Sequence, residues 1–125
     1  TYVRTLALDL GEILGVPAVM SDLTRLHSGG FDLKKSVTLE QLINATPEEL
    51  ETYLYPLEYA FQSYPKVILT EQQWQKVKNG GFLPANIFKD KTTKILLMYG
   101  DKARALYYYD DKKDVFRSEQ MLDLA

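Results

Sequence analysis

The stretch from Pro56 to Pro65 constrains this chain more than any other feature. Two prolines bracket a short aromatic connection carrying Tyr59 and Tyr64, and the charge pattern changes across it. Between Ser36 and Tyr64 there is no lysine or arginine, while Glu40, Glu48, Glu49, Glu51 and Glu58 all fall in that window; basic residues resume at Lys66. Proline fixes φ and has no backbone donor, so regular structure does not run through such a link. A composition shift at a proline-marked link is where modules meet. The 125 residues, 46% of them apolar and 26% charged, are enough for one ordinary domain or two small ones. The expected organisation is a first module over residues 1–55, a linker over 56–64 and a second module over 65–125.

Several function classes fall away at once. The formal charge of -2 argues against a surface that is basic all over, as a nucleic-acid glove would be, and leaves room for a local basic face. The acidic window from Ser36 to Tyr64 should repel phosphate. With no cysteine there is no disulfide scaffold, thiolate nucleophile or cysteine-held zinc. One histidine, His27, cannot supply a multi-histidine metal site, and the carboxylates lack calcium-loop spacing. No metal is therefore expected. No run approaches the roughly 18 apolar residues of a membrane helix, and the apolar opening is broken by Asp9 and Glu12. A cytoplasmic chain without a membrane partner is the expectation.

Locally, Tyr2-Val3-Arg4 reads as the end of a strand already under way, which suggests a piece of something longer. Leu6, Leu10, Ile13 and Leu14 then follow helical spacing, with Gly15 where a C-terminal glycine belongs, predicting a helix over 4–14. Val19, Leu23 and Leu26 with polar residues between them predict a half-buried strand within 16–27, ended by Gly29-Gly30. Thr38 with Gln41, and Thr46 with Pro47 and Glu49, are capping boxes that open helices over about 38–45 and 47–55. In the second module Val67-Ile68-Leu69 is a short strand. Thr70 with Gln73 caps a helix carrying Trp74 and Val77, and Asn79-Gly80-Gly81 stops it. Strands are expected over 94–99, 103–109 and 115–117, giving a small β-rich barrel or sheet with one helix.

Arg4 is the first candidate for chemistry. Read as strand, Tyr2 and Arg4 share a side, and a guanidinium there can grip a carboxylate through two hydrogen bonds and hold it ionised. The competing reading is a solvated arginine near a helix start, where its charge opposes the dipole. His27 is assigned to structure or surface, and Trp74 to the core of the small module. Tyr107-Tyr108-Tyr109 either stack on bases or pack alternately inward and outward along a strand. Lys89, Lys91, Lys94, Lys102, Arg104, Lys112 and Lys113 give the tail a local positive excess. They suit sequence-independent phosphate contacts, with a solvated edge that discourages strand aggregation as the alternative.

The segment Thr1-Tyr2-Val3-Arg4-Thr5-Leu6-Ala7, followed by Asp9-Leu10-Gly11, Leu14-Gly15, Ala18, Leu23-Thr24-Arg25-Leu26, Ser28-Gly29-Gly30-Phe31 and Val37-Thr38-Leu39-Glu40-Gln41-Leu42, resembles the TruB family of tRNA pseudouridine synthases in order and spacing. From Pro65-Lys66-Val67 through Asn79-Gly80 to the closing strands, the tail is similar to the small PUA-type domain that ends these enzymes, though more loosely. The resemblance implies an α+β chain: a remnant of a mixed α/β catalytic domain followed by a β-rich PUA-like domain. It implies an isomerase that flips the T-loop uridine, position 55 of tRNA, detaches and reattaches the base through an aspartate, and needs no cofactor or metal. By the resemblance Arg4 matches the arginine that pairs with that aspartate, Tyr2 the tyrosine lining the base pocket, and Leu6 and Leu23 apolar wall positions. Leu6 and Leu23 are equally compatible with plain core packing. Arg25 takes either a phosphate contact or a structural ion pair.

The Gly-Thr-Leu-Asp-Pro motif that carries the nucleophile in this family is not in the sequence, and Asp9 and Asp22 lie in the wrong context to replace it. The chain alone is expected to be inactive. The expected partner is the T-arm of tRNA, with Lys89, Lys91, Lys102 and Arg104 of the tail as candidate RNA contacts. The full-length enzyme is expected to be monomeric and this piece to self-associate through uncovered apolar surface. The rival reading is a non-catalytic, PUA-like RNA-binding module. A third, a protein-interaction domain using Glu48 to Tyr64, rests on composition alone.

Overall fold

A computed structural model describes residues 2–125. The first helix, α1 (Val3–Leu14), ends at Gly15 in the left-handed region with φ 70°, and the Gly15 amide donates to the carbonyl of Glu12. Glycine is the low-strain residue for that conformation. The chain then doubles back onto the helix. The Val16 amide donates to the Gly11 carbonyl at 3.0 Å, and a Cβ on Gly11 would lie 2.7 Å from the Val16 carbonyl oxygen. Gly11 is accordingly the one buried residue of α1.

Two expectations fail in this region. Tyr2 is extended, but Val3 and Arg4 are already helical, so Tyr2-Val3-Arg4 is a helix start and not a strand end. Residues 16–26 form no strand, and Val19, Leu23 and Leu26 are exposed. A strand needs a neighbour to receive its hydrogen bonds, and among the described residues none lies beside it. Only β1 (His27–Ser28) and β2 (Phe31–Asp32) pair here. They are antiparallel and joined by Gly29 and Gly30, both at positive φ, as a tight hairpin turn requires.

Capping chemistry places the next helices, α2 (Leu39–Asn44) and α3 (Pro47–Tyr53). The Thr38 hydroxyl accepts from the Gln41 amide at 3.1 Å while the Gln41 side chain accepts from the Thr38 amide at 2.8 Å; Thr46 and Glu49 repeat the exchange. Neither helix buries a residue. A 3-10 turn (Leu57–Phe61) leads into the second half.

There β3 (Lys66–Ile68), α4 (Glu71–Val77), β4 (Leu83–Pro84), β5 (Ile95–Tyr99), β6 (Lys102–Asp110) and β7 (Val115–Met121) form a five-stranded sheet with one helix. The strand order is β3-β5-β6-β7-β4, with β3 parallel to β5 and the remaining pairs antiparallel. Every member of the hydrophobic core lies after Pro65. Leu69, Trp74, Val77, Leu83, Ile95 and Leu97 pack with Ala105, Tyr107 and Phe116. Tyr107 is fully buried, and its hydroxyl donates to the Gly81 carbonyl at 2.8 Å, so the phenol is satisfied without water. Trp74 sits in this core as expected, stacked on Tyr99 with ring centroids 5.4 Å apart.

Candidate functional site

The start of α1 and the irregular return segment enclose an open groove of about 500 Å³, lined by Tyr2, Val3, Arg4, Thr5, Met20, Leu23 and Arg25. Four of the residues singled out from sequence, Tyr2, Arg4, Leu23 and Arg25, thus meet in one place. Leu6 does not line the groove and stands exposed on α1.

The groove is electrostatically one-sided. Two guanidiniums, Arg4 and Arg25, line it and no lining residue is acidic. The N-terminus of α1 adds partial positive charge, because its first turn carries no acidic residue and Tyr2 makes no side-chain cap. Among the described residues Arg4 forms no ion pair, and the Arg25 side chain reaches only the Ser28 hydroxyl, at 3.5 Å. An arginine in the first turn of a helix is unfavourable by itself; an anion in the groove would reverse the sign of that interaction. Tyr2, Val3, Met20 and Leu23 supply the apolar surface and Tyr2 an exposed phenol. Chemically, the arrangement can receive a carboxylate or phosphate beside a planar apolar group. Val3, Thr5 and Met20 were missed from sequence. Val3 and Thr5 flank Arg4 and were within reach, whereas Met20 comes to the groove only because Gly11 lets the chain fold back.

The basic tail is less uniform than its composition. Arg104 is buried: its Nε donates to the Tyr99 carbonyl at 2.9 Å, its guanidinium lies 4.9 Å from the Trp74 ring, and it also reaches Asp123 and the Ala125 carbonyl. That commits its donors inside the molecule and corrects its assignment as a phosphate contact. Lys91 is half-buried, donating to the Phe88 carbonyl at 2.9 Å with Nζ 4.9 Å from the Tyr109 and Phe116 rings. Lys89 is exposed, and Lys102 is exposed with Asp123 at 3.7 Å. Charge counting cannot separate these cases, because aromatic faces inside the fold attract cations as phosphates do outside it. His27 is an exposed residue of the hairpin. No group of three or more His, Cys, Asp or Glu side chains among the described residues is placed to hold a metal ion. No described helix is long and apolar enough to cross a membrane.

A family model described as the tRNA pseudouridylate synthase B C-terminal domain matches residues 4–62, which include Arg4, Thr5, Met20, Leu23 and Arg25 of the groove. A tRNA pseudouridine synthase B of Ligilactobacillus salivarius is 49% identical over 126 residues, covering 100% of this chain and 42% of that protein. The chain matches the C-terminal part of TruB-family proteins. TruB relatives of the same description from Limosilactobacillus reuteri and Lactiplantibacillus plantarum are 41% and 44% identical, each over 97% of this chain and 40% and 41% of their own lengths. The chain therefore spans about two fifths of the length of the curated relatives it matches. A solved structure titled as an H/ACA RNP bound to a substrate RNA containing 2'-deoxyuridine superposes with TM-score 0.71 at 23% identity, over 99% of this chain and 47% of that one. This supports the α+β architecture.

Proposed function

We propose that residues 1–55 complete the uridine site of a TruB-type tRNA pseudouridine synthase and that residues 65–125 are a PUA-like RNA-contacting domain. The observation that carries this reading is the groove that gathers Tyr2, Arg4, Leu23 and Arg25 with no acid among its walls. A carboxylate nucleophile has to remain ionised and keep one rotamer, and a two-pronged guanidinium contact does both. Arg4 fills that role toward the aspartate that the rest of the protein supplies. Tyr2 and Leu23 then flank a uridine flipped from the T-loop, whose unstacking costs a few kcal/mol that stacking and water exclusion offset. Arg25 faces the same groove and contacts the phosphate of that nucleotide. The reaction is an isomerisation in which one glycosidic bond breaks at nitrogen and another forms at carbon of the same base. Without the upstream aspartate this chain is inactive, and tRNA in the cytoplasm is the partner.

The test is pseudouridine formation in a T-arm minihelix by a full-length protein that carries this sequence. Arg4→Ala lowers turnover by about 10²-fold or more, since misplacing one reacting group by an ångström costs that much. Arg4→Lys restores only part of it, because an ammonium cannot make the two-pronged contact. Turnover within a few-fold of the parent for Arg4→Ala would refute the assignment.

A further inference from the structure

The sheet of the second half has a side the core does not use. Leu83, Phe116, Tyr107 and Ile95 point into the core, so alternation along each strand places their neighbours Phe82, Arg117, Tyr108 and Lys94 on the opposite side. Register lines these four up across the sheet. Leu83 pairs with Phe116, which sets Phe82 beside Arg117; Tyr108 pairs directly with Arg117; and the pairing of Ile95 with Tyr107 sets Lys94 beside Tyr108. The result is a row that alternates aromatic, cation, aromatic, cation. Phe82 is 47% exposed, with the Arg117 guanidinium 5.4 Å and the Lys113 ammonium 5.3 Å from its ring. Elsewhere this side is covered. Leu96 and Leu106 are buried there, the 57–61 turn packs against β6, and Glu58 accepts from the Ala103 amide at 2.7 Å.

The charges in the row are held in place. Asp110 grips Arg117 and Glu119 grips Lys94, both at 2.9 Å, while Lys113 forms no ion pair among the described residues. Paired cations that flank aromatic faces offer little net charge and much planar surface, which suits a base more than a phosphate. Lys113, with the exposed Lys112 beside it, is left for the backbone that connects such bases. We propose that the row of Phe82, Arg117, Tyr108 and Lys94 is a stacking platform for unpaired bases of single-stranded RNA. It rests on reading residues 65–125 as the RNA-contacting half, and adds a second contact that shares no residue with the Arg4 groove.

The experiment is fluorescence anisotropy of labelled eight-nucleotide oligouridine and oligoadenosine with the whole chain, at several salt concentrations, beside a duplex of equal length. Single strands bind better than duplex. Phe82→Leu and Tyr108→Leu each weaken binding about tenfold, and Tyr108→Phe retains it because the ring is kept. Lys113→Gln reduces the slope of log affinity against log salt by about 0.7. Equal affinity for duplex, or a Phe82→Leu, Tyr108→Leu double variant that binds like the parent, would overturn the proposal. Photocrosslinking of a bromouridine oligomer to the unaltered chain decides the matter should a leucine variant fail to fold: crosslinks at Phe82 or Tyr108 support the platform and crosslinks confined to other residues refute it. No turnover is read in this assay, so its failure leaves the role of Arg4 standing, and failure of the Arg4 test leaves the platform standing.

Discussion

Thr46 and Thr70 begin helices with the same reciprocal capping bonds, yet the helix after Thr70 buries Trp74 and Val77 while the helix after Thr46 buries nothing. The contrast extends to the whole of each half. Among the described residues, all but three of the large apolar side chains that remain exposed, the exceptions being Ile68, Phe82 and Leu124, lie before Pro65, and the hydrophobic core lies after it. The halves do not differ in local helix signals. They differ in whether a sheet wide enough to receive an apolar face is present, because a helix of six or seven residues draws its stability from the surface it packs on. In the second half β5, β6 and β7 provide that surface. In the first, α1 and its neighbours leave their apolar faces exposed.

The largest effect should come from breaking the buried side. Phe116→Ala removes a fully buried ring and should lower stability by about 3–5 kcal/mol, whereas Ile13→Ala, at an 81% exposed position, should change it by no more than about 0.5 kcal/mol. Urea unfolding followed by the emission of Trp74, the only tryptophan, measures both. Similar losses from the two variants would abolish the distinction between the halves.

A smaller effect separates the two caps. Thr70→Ala should lower the midpoint by about 1 kcal/mol of stability, because α4 is part of the core. Thr46→Ala should reduce the helical circular dichroism signal and leave the Trp74 midpoint in place. A common shift in both variants would show that the halves unfold together.

A further sign of the buried half is alkaline. Burial pushes the Tyr107 phenol up to about 12, above the value of about 10 for an unfolded tyrosine. The folded state thus holds the proton more tightly. Its contribution is complete below pH about 10 and is lost as pH rises toward 12. The unfolding midpoint should fall across that window in the parent and fall less in Tyr107→Phe.

Much of the architecture was legible in residues that act on their nearest neighbours. The three capping boxes, Gly15 as a helix stop and the strands β5 and β6 all read correctly, since each signal and its effect lie within a few residues; Gly29-Gly30 reads as a strand end and is instead the turn between β1 and β2. The 16–27 segment was misread because alternation describes a strand only when a partner strand exists, and none is present among the described residues. The groove was partly legible. Tyr2 and Arg4 were evident near the chain start, but their meeting with Met20, Leu23 and Arg25 depends on the close approach at Gly11.

The sequence by itself determined where the capped helices begin, where α1 stops and which family the chain resembles, because those are matters of local chemistry and ordered motifs. Only the tertiary structure decided which cations face outward. Arg104 and Lys113 are both basic residues of one β-rich tail, but the Trp74 and Tyr99 rings draw Arg104 into the interior while Lys113 rests on exposed Phe82. A charge is the same at every position in a sequence, and what it can bind depends on the faces that folding brings against it.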